Sequence, residues 1–176
     1  QCDGVVVGGF ESSLAPLPTA VLNTVDYTIC QGETAEVTVN FSGTPPFTFD
    51  YSINGSLQDG LTSNTESFSL SILEDANITL ISVFDLNCTG SVSGASDVIV
   101  NPLPIASISG GDVICSDQTL HLPISLVGTA PFEIGYQIGS GTENIITADN
   151  DSSEVEAFLP GTYSITYIND ALCNDG

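Results

Sequence analysis

Apolar and polar residues alternate in short runs along this chain. Thr34–Phe41 places Ala35, Val37, Val39 and Phe41 on one face and Glu36, Thr38 and Asn40 on the other. A two-residue period is that of a half-buried β-strand. Phe47–Ile53 alternates in the same way, with Phe47, Phe49, Tyr51 and Ile53 inward. Glu66–Leu73 and Asn77–Phe84 read as two further strands, and Ser96–Asn101 as a closing one. Ahead of them, residues 19–30 (TAVLNTVDYTIC) give one strand or two short ones. Gln31-Gly32 and Asn54-Gly55 are turn dipeptides, and Gly43-Thr44-Pro45-Pro46 breaks the run between two strands. No stretch carries a helical period.

The pattern then repeats. Cys30 and Cys88 are 58 positions apart (88 − 30), as are Cys115 and Cys173 (173 − 115). From Cys30 onward an offset of 85 (115 − 30) maps Gly43-Thr44 onto Gly128-Thr129, Pro46-Phe47 onto Pro131-Phe132, Tyr51 and Ile53 onto Tyr136 and Ile138, and Asp85 onto Asp170. The inward alternation survives as Leu120, Leu122, Ile124 and Leu126. Residues 1–18 match 87–104, Cys2 falling on Cys88 and Pro16-Leu17-Pro18 on Pro102-Leu103-Pro104. The expected organisation is a tail of a preceding repeat (1–18), a first repeat (19–104) and a second repeat lacking its last strand (105–176), as a piece of a longer polypeptide. Short alternating strands between Gly and Pro breaks predict an all-β, immunoglobulin-like sandwich for each repeat.

Widely spaced, repeated cysteines without a CxxC motif point to disulfides, and so to a compartment outside the reducing cytosol. The spacing brackets Cys30 with Cys88 and Cys115 with Cys173. Cys2 is then left over, either partnered upstream or a reactive or intermolecular thiol. Pairing Cys2 with Cys30 and Cys88 with Cys115 is disfavoured, because it joins turns about a domain apart. The bracketed pairing puts the Cys30 and Cys88 turns at one end of the sandwich. That requires residues 54–64 to be mostly loop; a full strand there makes the pairing or the strand count wrong. Each bracket, closing a loop of about 58 residues, is worth roughly 3–4 kcal/mol in the chain-entropy model.

Charge narrows the possibilities. There are 22 acidic residues and no Lys or Arg, yet 41% of residues are hydrophobic. That hydrophobic content favours folding over disorder. Side-chain ion pairs are confined to His121 or a terminus, so stability rests on apolar burial, backbone ladders and disulfides. A uniformly negative surface repels nucleic acid and anionic membranes. No apolar run reaches membrane-spanning length.

Catalytic chemistry finds little to stand on. His121 is the only His and falls on the polar face of its strand, which excludes a multi-His metal site. Asp149, Asp151 and Glu154 offer oxygen ligands of the kind calcium prefers, but not at EF-hand spacing, and the cluster is not repeated. They are the candidate metal ligands, against a background of weak, diffuse divalent binding. The APLP and NPLP linkers carry no acid to bind calcium at a joint. Without Trp, Arg or Lys, paired carboxylates lack a sugar-binding cleft. No cofactor and no enzyme activity are expected. Asn40, Asn54, Asn77, Asn87 and Asn150 head Asn-X-Ser/Thr triplets, which matter only in a glycosylating host.

The block formed by Cys30, Gly32, Gly43, Thr44, Pro46, Phe47, Tyr51, Ile53, Asp85, Cys88, Gly90 and Asn101–Pro104, echoed from Cys115 to Cys173, resembles the immunoglobulin-like or PKD-like repeats of giant bacterial surface adhesins. The SprB-like gliding adhesins, substrates of type IX secretion, are of this kind. The second repeat departs from the pattern at Ser116-Asp117, where the first has Gln31-Gly32. The resemblance implies tandem Greek-key sandwiches in a long extracellular filament at the cell surface, serving attachment or gliding motility. Its partners would be neighbouring repeats and a surface polysaccharide or substratum. The alternative is a carbohydrate- or ligand-binding accessory module of a secreted protein.

Overall fold

The computed structural model describes residues 8–115 and 117–174. Among them there are strands and turns and no helix. The strands are β1 (Thr19–Leu22), β2 (Tyr27–Cys30), β3 (Ala35–Ser42), β4 (Phe47–Ile53), β5 (Ser56–Ser63), β6 (Ser67–Ile72), β7 (Ala76–Phe84), β8 (Ser91–Ser93) and β9 (Ala95–Asn101). They continue with β10 (Ile105–Ile108), β11 (Leu120–Val127), β12 (Phe132–Ile138), β13 (Asn144–Ala148), β14 (Ser152–Ala157) and β15 (Tyr163–Asn169).

The sheets run β6-β3-β1-β8, β2-β9-β7-β4-β5, β10-β11-β14 and β13-β12-β15. The strand that opens the first repeat is split: β1 lies antiparallel to β3 and parallel to β8, while β2 runs parallel to β9. The second repeat uses the same neighbours. β11 lies between β10 and β14 as β3 lies between β1 and β6, and β12 lies between β13 and β15 as β4 lies between β5 and β7. Among the described residues, no strand pairs with the other edge of β15.

The chain groups into two compact units. One holds the residues through Asp26 with Glu36–Ile72 and Ala76–Asp97; the other holds Tyr27–Ala35, Leu73–Asp75 and the chain from Val98 on. These bounds differ from a simple cut after residue 104, because Tyr27–Ala35, Leu73–Asp75 and the end of β9 cluster with the later residues.

Alternation sets what is buried. In β3 the burial pattern follows Ala35, Val37, Val39 and Phe41 inward, with Glu36, Asn40 and Ser42 exposed. Phe41 of β3 stacks on Phe47 of β4 with ring centroids 4.9 Å apart and also meets Phe49 at 5.1 Å, so these rings tie two sheets together. Phe47, Phe49, Leu22, Ile78 and Val83 are fully enclosed in the same core. The later unit has a core of the same kind: Leu122, Ile124 and Leu126 from β11, Phe132 and Ile134 from β12, and Val155 and Ala157 from β14.

Residues 54–64 were expected to be mostly loop, and the structure corrects this. Ser56–Ser63 is a full strand, β5, antiparallel to β4. Asn54 and Gly55 both take positive φ, 51° and 78°, as a two-residue hairpin turn between twisted strands requires. A turn that tight commits the following residues to pairing. β5 is an edge strand exposed along most of its length, which explains why its sequence carries no apolar alternation. The β4–β5 register shifts between Phe49 and Tyr51, and beside that shift Gly60 donates its N–H to Asp50 Oδ1 at 2.8 Å. The matching stretch of the second repeat also forms a strand, β13.

Candidate functional site

The cysteines sit on two kinds of turn, and each kind is built the same way in both repeats. After β7, Asp85 Oδ1 accepts the N–H groups of Asn87 at 2.8 Å and Cys88 at 2.7 Å, while Oδ2 accepts that of Thr44 at 2.9 Å. After β15, Asp170 Oδ1 accepts those of Leu172 at 2.9 Å and Cys173 at 2.6 Å, and Oδ2 that of Thr129 at 2.8 Å. The N–H of each Asp returns a bond to the carbonyl of its cysteine, at 2.9 Å in both. A carboxylate that gathers three N–H groups is stabilised in its charged form. Thr44 first, with Asn87 and Cys88, holds the Asp85 carboxyl below its ordinary range. Burial pushes Asp170 upward, and the N–H groups of Thr129, Cys173 and Leu172 more than offset it, leaving that carboxyl lowered as well.

The glycine that faces this carboxylate has no room for a side chain. Gly128 has φ 146°, and a Cβ there would stand 2.6 Å from Asp170 Oδ2; at Gly43, φ 130°, it would stand 2.8 Å from Asp85 Oδ2.

The second kind of turn follows the strand position of Cys30. The Cys30 N–H donates to Glu33 Oε2 at 2.8 Å, and the Glu33 N–H returns to the Cys30 carbonyl at 3.0 Å. Cys115 and Gln118 form the same reciprocal pair, both bonds at 3.0 Å.

The disulfide joins one turn of each kind, and it is not the bond the spacing suggested. Cys30 is bonded to Cys173, with S–S 2.08 Å and Cα–Cα 5.7 Å, while Cys88 (half-buried) and Cys115 (exposed) are free thiols. Both bonded residues belong to the unit that includes Tyr27–Ala35 and the chain from Val98. The expected Cys30–Cys88 and Cys115–Cys173 pairs are therefore overturned. Strand geometry gives the reason. Cys30 pairs with Asn101 at the far end of β9, whereas Cys88 precedes the start of β9. Seven residues of strand span about 20 Å, and a disulfide needs Cα atoms within about 7 Å. Cys2 lies outside the described residues.

The candidate metal ligands do not converge. Among the described residues, one group of His, Cys, Asp and Glu has all its ligand atoms within 4.8 Å of one another: His121, Glu154 and Glu156, all exposed. Asp149 and Asp151 lie in the turn between β13 and β14 and are not part of it. Glu154 turns instead to His121, with Nδ1 and Oε1 3.1 Å apart. In the first repeat the same three positions are Glu36, Ser69 and Ser71, and Glu36 accepts both hydroxyls, Ser71 Oγ at 2.7 Å. Those hydroxyls, Ser69 first, hold the Glu36 carboxyl below its ordinary range. The position thus carries a cross-strand polar clasp in both repeats, with the bonded carboxylate on β3 in the first and on β14 in the second.

The Asp85/Asp170 and Glu33/Gln118 caps were missed as functional elements of the sequence, although the spacings Asp-x-x-Cys and Cys-x-x-Glu/Gln were there to be read.

Comparison with known proteins agrees with the fold. The family model "Nucleoporin POM152, Ig-like domain" matches residues 112–175. Among solved structures, an I-band fragment from titin superposes with TM-score 0.60 at 14% identity, covering 87% of this chain and 60% of that one. The N-terminal eight Ig domains of Down Syndrome Cell Adhesion Molecule give 0.50 at 16% identity, covering 86% of this chain and 25% of that one. No curated protein sequence matches the chain. The protein is an all-β, immunoglobulin-like sandwich protein. At such identities the structural likeness establishes the fold, and the chain spans well under the whole of either neighbour.

Proposed function

We propose that this chain is a structural, adhesive repeat segment of a long extracellular filament of the SprB-like gliding-adhesin kind, acting at the cell surface and without catalytic activity. The observation that carries this reading is the duplication of the scaffold. The two repeats invest their specific polar groups in the same places: carboxylates that cap cysteine turns, and a cross-strand clasp at His121 or Glu36. Groups of this kind hold backbone and thiols in place. A disulfide that takes one cysteine from each sequence repeat suits a chain that must persist outside a reducing compartment. With a formal net charge of −22 and no Lys or Arg, the surface favours neutral or cation-bridged partners over nucleic acid and anionic lipid.

The test is surface labelling. Antibody raised against the purified chain is expected to stain intact, unpermeabilised cells of the source and to slow their attachment to a substratum. Staining only after permeabilisation overturns the surface reading, and staining of intact cells that leaves their attachment unchanged overturns the adhesive one.

A further inference from the structure

Among the described residues, one cluster outside the cysteine turns brings ligand atoms for a metal together. β11 and β14 pair antiparallel, and their register sets His121 opposite Glu156, with Glu154 two residues along the same face of β14. Directly opposed residues stand with Cβ atoms about 4.5–5.5 Å apart, and a long side chain also reaches the diagonal neighbour. His121 Nδ1 accordingly lies 3.1 Å from Glu154 Oε1, and one ligand atom each from His121, Glu154 and Glu156 fall within 4.8 Å of one another. All three side chains are exposed, while Leu122 and Val155, the pair between them in the register, point into the core.

The donor set is mixed: one imidazole nitrogen and two carboxylates. Zinc takes nitrogen and oxygen ligands at about 2.0–2.2 Å, and neighbouring ligand atoms of a tetrahedral site then stand about 3.3 Å apart. The His121–Glu154 separation is close to that value, and Glu156, an exposed side chain on an edge strand, closes the rest by rotation. Calcium asks for about six to eight oxygens, which three residues with a nitrogen among them do not supply. The arrangement is peculiar to the second repeat. Its counterparts in the first are Glu36, Ser69 and Ser71, where hydroxyls stand in place of the two carboxylates and are already bonded to Glu36. Glu154 and Glu156 also belong to a chain of net charge −22 with no Lys or Arg, so a cation that balances them comes from solution.

We propose that His121, Glu154 and Glu156 form a zinc-binding site that clips the edge strand β14 to β11. His121 Nδ1 gives its lone pair, with the ring proton on Nε2, each glutamate gives one oxygen, and the fourth tetrahedral position is left to water. Only the paired strands hold the three ligands together, so the ion binds the folded chain and stabilises the second repeat by mass action. Zinc binding here does not depend on the surface-adhesin reading, and neither outcome of its test bears on that reading.

The test uses the full chain with Cys2→Ser, Cys88→Ser and Cys115→Ser, so that no thiol outside the Cys30–Cys173 bond competes for zinc. Because the chain has one His, the imidazole resonances in its NMR spectrum report His121 directly. Zinc chloride, added in about 0.15 M NaCl to screen diffuse attraction, should shift them to saturation at one ion per chain. Calcium chloride at the same concentration should leave them in place. Loss of an outer-shell partner alone weakens metal sites by about tenfold or more, so Glu154→Gln and Glu156→Gln should each weaken the zinc response by at least that factor. Asp149→Asn and Asp151→Asn should leave it unchanged. The melting temperature should rise with zinc concentration, and His121→Ala, altered at an exposed position and checked for an unchanged circular dichroism spectrum, should lose that rise. Ring resonances that zinc does not move, an equal response to calcium, or a zinc response that the two Gln variants leave intact would each overturn the proposal.

Discussion

Replacing single cysteines by serine discriminates the two disulfide schemes without any structural method. If Cys30 is bonded to Cys173, Cys30→Ser and Cys173→Ser each open a loop of sequence separation 143. The chain-entropy relation puts the value of closing that loop at about 5 kcal/mol, and measured bridges usually deliver 2–4 kcal/mol. Cys88→Ser and Cys115→Ser remove thiols that are already free and are expected to change stability by less than about 0.5 kcal/mol. The double variant Cys30→Ser/Cys173→Ser should lose little more than Cys173→Ser alone, because the bond can be broken only once. Cys173 is fully buried, so its replacement carries an added packing cost, and Cys30, half-buried, is the cleaner probe. The assay is urea unfolding without reductant, repeated with reductant, where wild type should fall to the level of Cys30→Ser. Mapping needs cleavage at acidic residues, since a chain without Lys or Arg gives trypsin no site. Equal losses for Cys88→Ser and Cys30→Ser, with Cys173→Ser contributing a separate additive loss, would refute the Cys30–Cys173 assignment.

Other expectations follow from the same geometry. The lowered Asp170 and Asp85 carboxyls contribute stability that is fully present above the unfolded-state value near pH 4 and is lost as pH falls through their depressed folded values. Acid unfolding should therefore steepen below about pH 4, and Asp170→Asn should flatten that limb while lowering stability at neutral pH. Phe47→Ala, which empties a fully enclosed position stacked on Phe41, should cost about 3–5 kcal/mol in chemical denaturation. Gly128→Ala combines a positive φ with a Cβ driven against Asp170; it should cost about 2–4 kcal/mol, and a loss below about 1 kcal/mol would show that the turn relaxes freely. Because 22 acidic side chains repel one another with no Lys or Arg to compensate, the melting temperature should rise between low salt and about 1 M NaCl, where the Debye length shrinks to about 3 Å.

Which strands exist was legible wherever one face is buried and the other wet. The alternation in residues 34–41 gave β3 with its inward residues, and that at Leu120–Leu126 gave β11, because burial on a single face imprints a two-residue period. β5 left no such imprint. Both its faces are largely exposed, so its identity as a strand rests on backbone pairing to β4 and on the Asn54-Gly55 turn, which composition does not weigh. The short β8, held parallel to β1, escaped for the same reason.

That one missed edge strand explains the misassigned disulfide. In a periodic chain, spacing alone cannot choose between a bond inside a repeat and a bond of the same two turn types across repeats, since both recur with the period of the array. Only the number of strands between Cys30 and Cys88 breaks the tie. With residues 54–64 as loop, the two turns share an end of the sandwich and bond each other. With β5 present they fall at opposite ends of β9, and the partner on the Cys30 side must come from the other repeat. The structure supplies it as Cys173, held on the Asp170 turn next to Asn101, whose carbonyl lies 3.9 Å from Cys173 Sγ. Carried through the repeat, the same rule leaves Cys88 and Cys115 open. Cys88 sits on an Asp-capped turn like that of Cys173, and Cys115 on a turn like that of Cys30, so a thiol of each kind stands free beside the bonded pair of the same two kinds.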